Sequence, residues 1–192
     1  MKICIYGASS NEIDKYFLEA GENLGVAIAK SNHAVVFGGG ATGLMGAVAR
    51  GAKSENGEII GISPSFFNVD GVLFQECTEM IYTETMRERK QLLEEMSDAF
   101  IVTPGGIGTF DEFFEIYTLR QLGCHQKPIA IYNTSGYYNS LIDMLNNAID
   151  KSFMPNTNMD LIFISDSPQE IIKHIENYNP SDCDAAEFKF IK

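Results

Sequence analysis

Positive charge is scarce in this chain: 14 Lys and Arg stand against 26 Asp and Glu, a formal net charge of −12. Binding DNA or RNA requires a basic surface that neutralises phosphates, so nucleic acid and anionic membranes are excluded as partners. A small anion is not excluded, because a few local donors hold one phosphate against a distant unfavourable field. Cysteine is sparse too. Cys4, Cys77, Cys124 and Cys183 are scattered and form no CxxC pair. Together with the lack of a signal peptide, this predicts reduced thiols in a cytoplasmic protein. The three histidines, His33, His125 and His174, lack metal-ligand spacing, and no metal is expected. Ser9 and Ser10 sit in no GxSxG elbow, which removes a serine-hydrolase triad. No apolar run approaches the roughly 20 residues that cross a bilayer.

What the chain does have is 192 residues, 45% of them hydrophobic, enough for one domain with a sizeable core. Seven short apolar runs recur, at 2–6, 34–37, 58–62, 79–83, 99–103, 128–132 and 161–165. Segments of helical spacing fill the gaps, at 16–30, 44–53, 86–96, 110–122, 138–151 and 168–178. Strands apolar on both faces alternating with helices predict an α/β fold. The expectation is a Rossmann-like doubly wound sheet of about seven mostly parallel strands with helices on both faces. One domain over 1–179 and a C-terminal tail over 180–192 are expected. The stretch 65–78 is the one long connection without periodicity, a candidate flap or substrate loop.

Ligands of open α/β sheets bind outside the carboxyl ends of the strands. Three strands end there in small residues: Gly7-Ala8-Ser9-Ser10, Gly38-Gly39-Gly40-Ala41-Thr42-Gly43 and Pro104-Gly105-Gly106-Ile107-Gly108-Thr109. The second can be written GxGxxG, but it follows the second strand, and the next strand ends without an acid placed for a ribose diol, so a nicotinamide site is a weak match. The amides of Gly39 and Gly40 could still line a phosphate or sugar. In the third loop, Gly105, Gly106 and Gly108 let backbone amides converge on an anion at a helix start. Thr109 as N-cap would make Thr109 to Glu112 a capping box, which accounts for Glu112 without function; Asp111 and Glu115 would serve the helix dipole. Phe110, Phe113, Phe114 and Tyr117 have core spacing. In MRERK, helical spacing puts Arg89 amid the apolar stripe of Met86, Leu92, Leu93 and Met96, with Lys90 at its flank. A buried arginine needs an anion, either a core carboxylate or a ligand.

GGGATGLMGAVARGA, MRERK and PGGIGTFDE, in this order, resemble the LOG family of cytokinin riboside 5'-monophosphate phosphoribohydrolases, once labelled possible lysine decarboxylases. The similarity spans roughly residues 1–178, and QLGCHQKPIAIYNTSGYYNSL is similar to the family's downstream segment. It implies a homodimer that acts in cytokinin biosynthesis and hydrolyses the N-glycosidic bond of an adenosine-type 5'-monophosphate. Arg89 and Glu112 would be the catalytic pair, and Gly105, Gly106, Ile107, Gly108 and Thr109 would hold the phosphate. Ser9, Gly39, Gly40, Met86, Lys90 and Thr118 would complete the pocket. No cofactor is implied, and no lysine is placed for a pyridoxal Schiff base. Asp70 is the nearest acid where many members carry a glutamate after the third strand. Leu119 replaces a common tryptophan; the chain has none. The main alternative is a nucleotide-sensing or carrier module of the same fold without turnover.

Overall fold

A computed structural model describes residues 1–180; the tail expected over 180–192 therefore lies, apart from Pro180, outside the described residues. The seven apolar runs are all strands: β1 (Lys2–Tyr6), β2 (Ala34–Phe37), β3 (Ile59–Pro64), β4 (Glu79–Thr83), β5 (Ala99–Val102), β6 (Ile129–Tyr132) and β7 (Ile162–Ser165). Between them run α1 (Lys15–Lys30), α2 (Gly43–Ser54), α3 (Met86–Glu95), α4 (Ile107–Gln121) and α5 (Asn139–Asp150), and α6 (Pro168–Asn177) follows β7. Every pairing is parallel, in the order β4-β3-β2-β1-β5-β6-β7.

Alternation along the strands divides the core in two. Ile3, Ile5, Val35, Phe37 and Ile101 face one side and pack with Leu24 and Ile28 of α1, Val48 of α2 and Ile171 of α6. Cys4, Tyr6, Val36, Ile60, Phe100 and Val102 face the other, against Leu93 of α3, Phe113 of α4 and Leu145 of α5. Burying a side chain of this size contributes about 1.5–3 kcal/mol, which explains why short runs suffice as strands. β2 to β4 lie on one side of β1 and β5 to β7 on the other. The order reverses between β1 and β5, so the loops after these two strands flank the crevice at which such sheets take ligands.

Two expectations change. Helix α4 begins at Ile107 with Gly106 as N-cap, so Thr109 is not the cap and no capping box forms over 109–112. The Phe110 amide already closes on the Gly106 carbonyl at 3.0 Å. A glycine in a helix costs about 1 kcal/mol, which burial of Phe113, Ile116 and Tyr117 on the same helix outweighs. The 65–78 connection is not a free flap along its length. A 3-10 turn at Ser65–Phe67 leaves Phe66 and Phe67 exposed, but Leu73 and Phe74 are buried. Leu73 forms an antiparallel bridge with Gly40, and the Phe74 amide donates to the Gly39 carbonyl at 2.8 Å. Among the described residues, no helix is long and apolar enough to cross a membrane, and no group of three His, Cys, Asp or Glu side chains is placed to hold a metal.

Candidate active site

The glycine loops after β2 and β5 both run into helices, but their first turns differ. At α2 the amides are already used: Gly43 donates to Asn11 Oδ1 at 2.8 Å, and Met45 to the Ala8 carbonyl at 3.3 Å. Helices α1, α3 and α6 carry side-chain caps, from Asp14, Thr85 and Ser167. Helix α4 has no side-chain cap, and a Cβ built on Gly106 or Gly108 meets nothing within 4 Å. Free amides at a helix N-terminus, beside open space and at the positive end of the dipole, are chemically able to hold an anion.

The carboxylate one turn further on is held by Arg89. Thr85 and Glu88 cap α3, with Thr85 Oγ1 accepting from the Glu88 amide at 3.1 Å and Glu88 Oε2 from the Glu84 amide at 2.8 Å. Thr85 thus caps α3 as Thr109 was expected to cap α4, with Glu88 reaching back one residue further, to the amide that precedes the cap. Arg89, the next residue, turns inward and is buried. Its Nη1 donates to Glu112 Oε1 at 3.1 Å and its Nε to the Ile62 carbonyl at 3.3 Å. The guanidinium passes over the end of β2, where any side chain at Gly38 would strike Nη2. Burial pushes the Glu112 carboxyl above its ordinary value of 4.5, and Arg89 pulls it back. The net shift is upward. A carboxylate oriented by a guanidinium and largely shielded from water can stabilise a nearby cation or direct a water.

A cleft of about 290 Å³ joins these two devices. It is lined by Gly7, Ala8, Ser9, Met45, Gly106 to Thr109, and Glu112. The structure thereby brings Ser9, Gly106 to Thr109 and Glu112 together, while Gly105 lines a separate cleft beside Tyr137. A second cleft of about 380 Å³, between α3 and α4, reaches Glu112 from the other side, over Tyr6, with Arg87, Lys90, Glu115 and Leu119 in its walls. The other expected positions stand apart. Gly39 and Gly40 tether the 73–74 segment and line neither cleft. Met86 is exposed at the start of α3 and also lines neither. Thr118 is exposed and absent from both linings; nine residues beyond Thr109, it lies about 13 Å along the helix axis. Asp70 is exposed in the connecting arm.

Sequence comparisons show which family the chain belongs to. A family model described as "Possible lysine decarboxylase" matches residues 45–175. A Mycobacterium tuberculosis protein named cytokinin riboside 5'-monophosphate phosphoribohydrolase is 36% identical over 171 residues, covering 89% of this chain and 91% of its own. The Arabidopsis thaliana protein of that name, LOG3, is 34% identical over 179 residues, covering 93% of this chain and 83% of its own. The chain belongs to the LOG family. Among solved structures, a molybdenum cofactor binding protein of Rippkaea orientalis has the same fold, with a TM-score of 0.68 at 24% identity over 91% of this chain and 94% of that one.

The family's older description does not suit the lysine at this LOG-family site. Lys90 donates to Glu115 at 2.7 Å and to Asp111 at 3.1 Å, and these partners, Glu115 first, raise its pKa. A Schiff-base lysine needs the opposite shift, toward a neutral amine. Asp111 and Glu115 therefore hold Lys90 at the cleft wall, a role beyond the expected dipole effect. Sequence reasoning missed Tyr6 and Met45 in the clefts, and Gly38 as the space Arg89 occupies. The first two belong to runs read only as strand and helix, and the third needs the chain folded before its neighbour is known.

Proposed function

We propose that this chain is a hydrolase of the N-glycosidic bond of adenosine-type nucleoside 5'-monophosphates, including cytokinin ribosides, releasing free base and ribose 5-phosphate. The observation that carries the reading is one cleft holding both an uncapped helix N-terminus and the Arg89-held Glu112. Residues 107–109 precede Glu112 by three to five positions, about 4.5–7.5 Å of helix rise, a span suited to one ribose 5-phosphate. The amides of α4 would take the phosphate, with Ser9 at the cleft wall, and the sugar would lie along the helix toward Glu112; Lys90 lines the second cleft, beyond Glu112.

Cleavage of the ribosyl C–N bond sends its electron pair to the base nitrogen and leaves positive charge on the sugar, as in glycoside hydrolysis. Glu112 stabilises that charge and orients the water that adds to the anomeric carbon; the one proton this water loses balances the one the departing base nitrogen gains. Arg89 keeps the carboxylate ionised and fixed. The names of the relatives support the substrate class. A homodimer in the cytoplasm, with no cofactor, completes the proposal.

A carrier of the same fold is the second reading, since cofactor-binding proteins share the architecture. A pure phosphate binder gains nothing from Glu112 beside an anion. Incubation with isopentenyladenosine 5'-monophosphate, AMP and the corresponding unphosphorylated nucleosides tests the choice. Base release from a monophosphate but not from its nucleoside is expected; tight binding of all monophosphates with no release would establish the carrier.

A further inference from the structure

The GYYNSL segment at 136–141 is part of the LOG-like sequence, yet no residue in it reaches the clefts that contain Glu112. Its two tyrosines both turn back toward the β5 loop. Ser135 (φ 55°) and Gly136 (φ 68°) are consecutive left-handed residues, which reverse the chain after β6. The Asn133 side chain fixes the reversal by accepting from the Tyr138 amide at 2.7 Å and donating to Asn139 Oδ1 at 2.8 Å. From there Tyr137 Oη donates to the Gly105 carbonyl at 2.6 Å, and Tyr138 Oη to the Thr103 carbonyl at 2.7 Å. The carbonyl between them, on Pro104, accepts from the Ala8 amide at 3.0 Å.

These bonds differ in consequence. A peptide unit is planar and trans, so its C=O and the following N–H point in opposite directions. Holding the Thr103 carbonyl orients nothing for a ligand, because Pro104 has no N–H. Holding the Gly105 carbonyl turns the Gly106 N–H the other way. Tyr137 lies in a separate apolar cleft of about 210 Å³ behind the loop, while Gly106 lines both that cleft and the one with Ser9 and Glu112. Gly106 is exposed, and a Cβ built on it meets nothing within 4 Å. With no side chain of its own to restrict the peptide, the loop takes its orientation from its carbonyl partners.

We infer that Tyr137 is a positioning residue for the phosphate loop: its hydroxyl pins the Gly105 carbonyl and aims the Gly106 amide at the bound phosphate. Tyr138, buried and facing the Pro104 peptide, holds the fold. The inference rests on the reading that the α4 loop takes the ligand's phosphate.

The test compares Tyr137→Phe and Tyr138→Phe in the intact protein, by calorimetric titration with ribose 5-phosphate and by steady-state kinetics on a nucleoside 5'-monophosphate. Tyr137→Phe, at a half-exposed position, is expected to raise Kd and KM together by about five- to tenfold. Its kcat at saturation should stay within about twofold of wild type, and its thermal midpoint should be unchanged. Tyr138→Phe should lower the midpoint and leave KM near wild type. Wild-type Kd and KM in Tyr137→Phe overturns the inference, as does a fall in kcat and midpoint with KM preserved. Failure of the wild-type protein to bind ribose 5-phosphate would instead sink the underlying reading.

Discussion

Arg89 is buried among three chain segments, each supplying one requirement of its position. Ile62 at the end of β3 gives a carbonyl, Glu112 of α4 gives the charge, and Gly38 at the end of β2 gives room. Leaving a buried guanidinium unpaired costs several kcal/mol, so whatever separates the pair should be felt in stability. Gly38→Ala should displace Arg89 from Glu112: overpacking costs about 1–3 kcal/mol, and misplacing a catalytic group by about 1 Å costs about 10²-fold in turnover. Circular dichroism melts and initial rates would show both losses; a fully active Gly38→Ala protein would mean that Arg89 is not held as described. The inward direction of Arg89 was legible from the stripe around it. Its partner Glu112 was legible only through the family resemblance, because the spacing of Glu112 after Thr109 equally fits a cap.

Element α4 carries the most consequences per residue. Its uncapped start meets the ligand cleft, its first turns present Glu112, and its far end is locked by buried polar groups. Arg120 is fully buried, with Nη2 donating to Tyr178 Oη at 2.6 Å and Nη1 to the His125 carbonyl at 3.4 Å. His125 Nε2–H donates to the Ile116 carbonyl at 3.0 Å, while Nδ1 accepts from the Lys127 amide at 3.2 Å. The ring is thus satisfied only when neutral, and burial lowers its pKa from 6.5 to about 4. The unfolded chain binds this proton more readily, so His125 contributes stability that is present above pH 6.5 and lost as pH falls toward 4. Urea midpoints of wild type and His125→Gln should converge over that window; a constant difference would contradict it. None of this was visible in the sequence. Strands announce themselves by apolar runs, whereas an arginine in the last turn of a helix and a histidine in the turn beyond it read as surface residues until the chain folds Tyr178 and that turn against the helix end.

At the scale of the whole molecule, the parallel sheet and the reversal of strand order beside β1 determine where chemistry occurs. That much followed from the alternation of apolar runs and helices, because a sheet covered on both faces leaves its carboxyl edge for ligands. Which glycine loop is open did not, since glycine spacing does not reveal that Asn11 and Ala8 fill the first turn of α2. The net charge of −12 also acts at this scale. Under the proposed function it would repel a nucleotide at long range while the α4 amides attract it at contact, and salt screens the first more than the second. Raising ionic strength from about 10 to 150 mM should therefore speed association of a nucleoside monophosphate, measured by stopped flow; a slowed association would show that local positive charge dominates. The central claim, that Glu112 breaks the ribosyl bond, is tested most directly by assaying base and ribose 5-phosphate from one nucleoside 5'-monophosphate with wild type and Glu112→Gln side by side. Wild type should give equimolar products, and the variant should lose about 10²–10⁴-fold in rate with substrate binding retained. Equal turnover by the two proteins would contradict it.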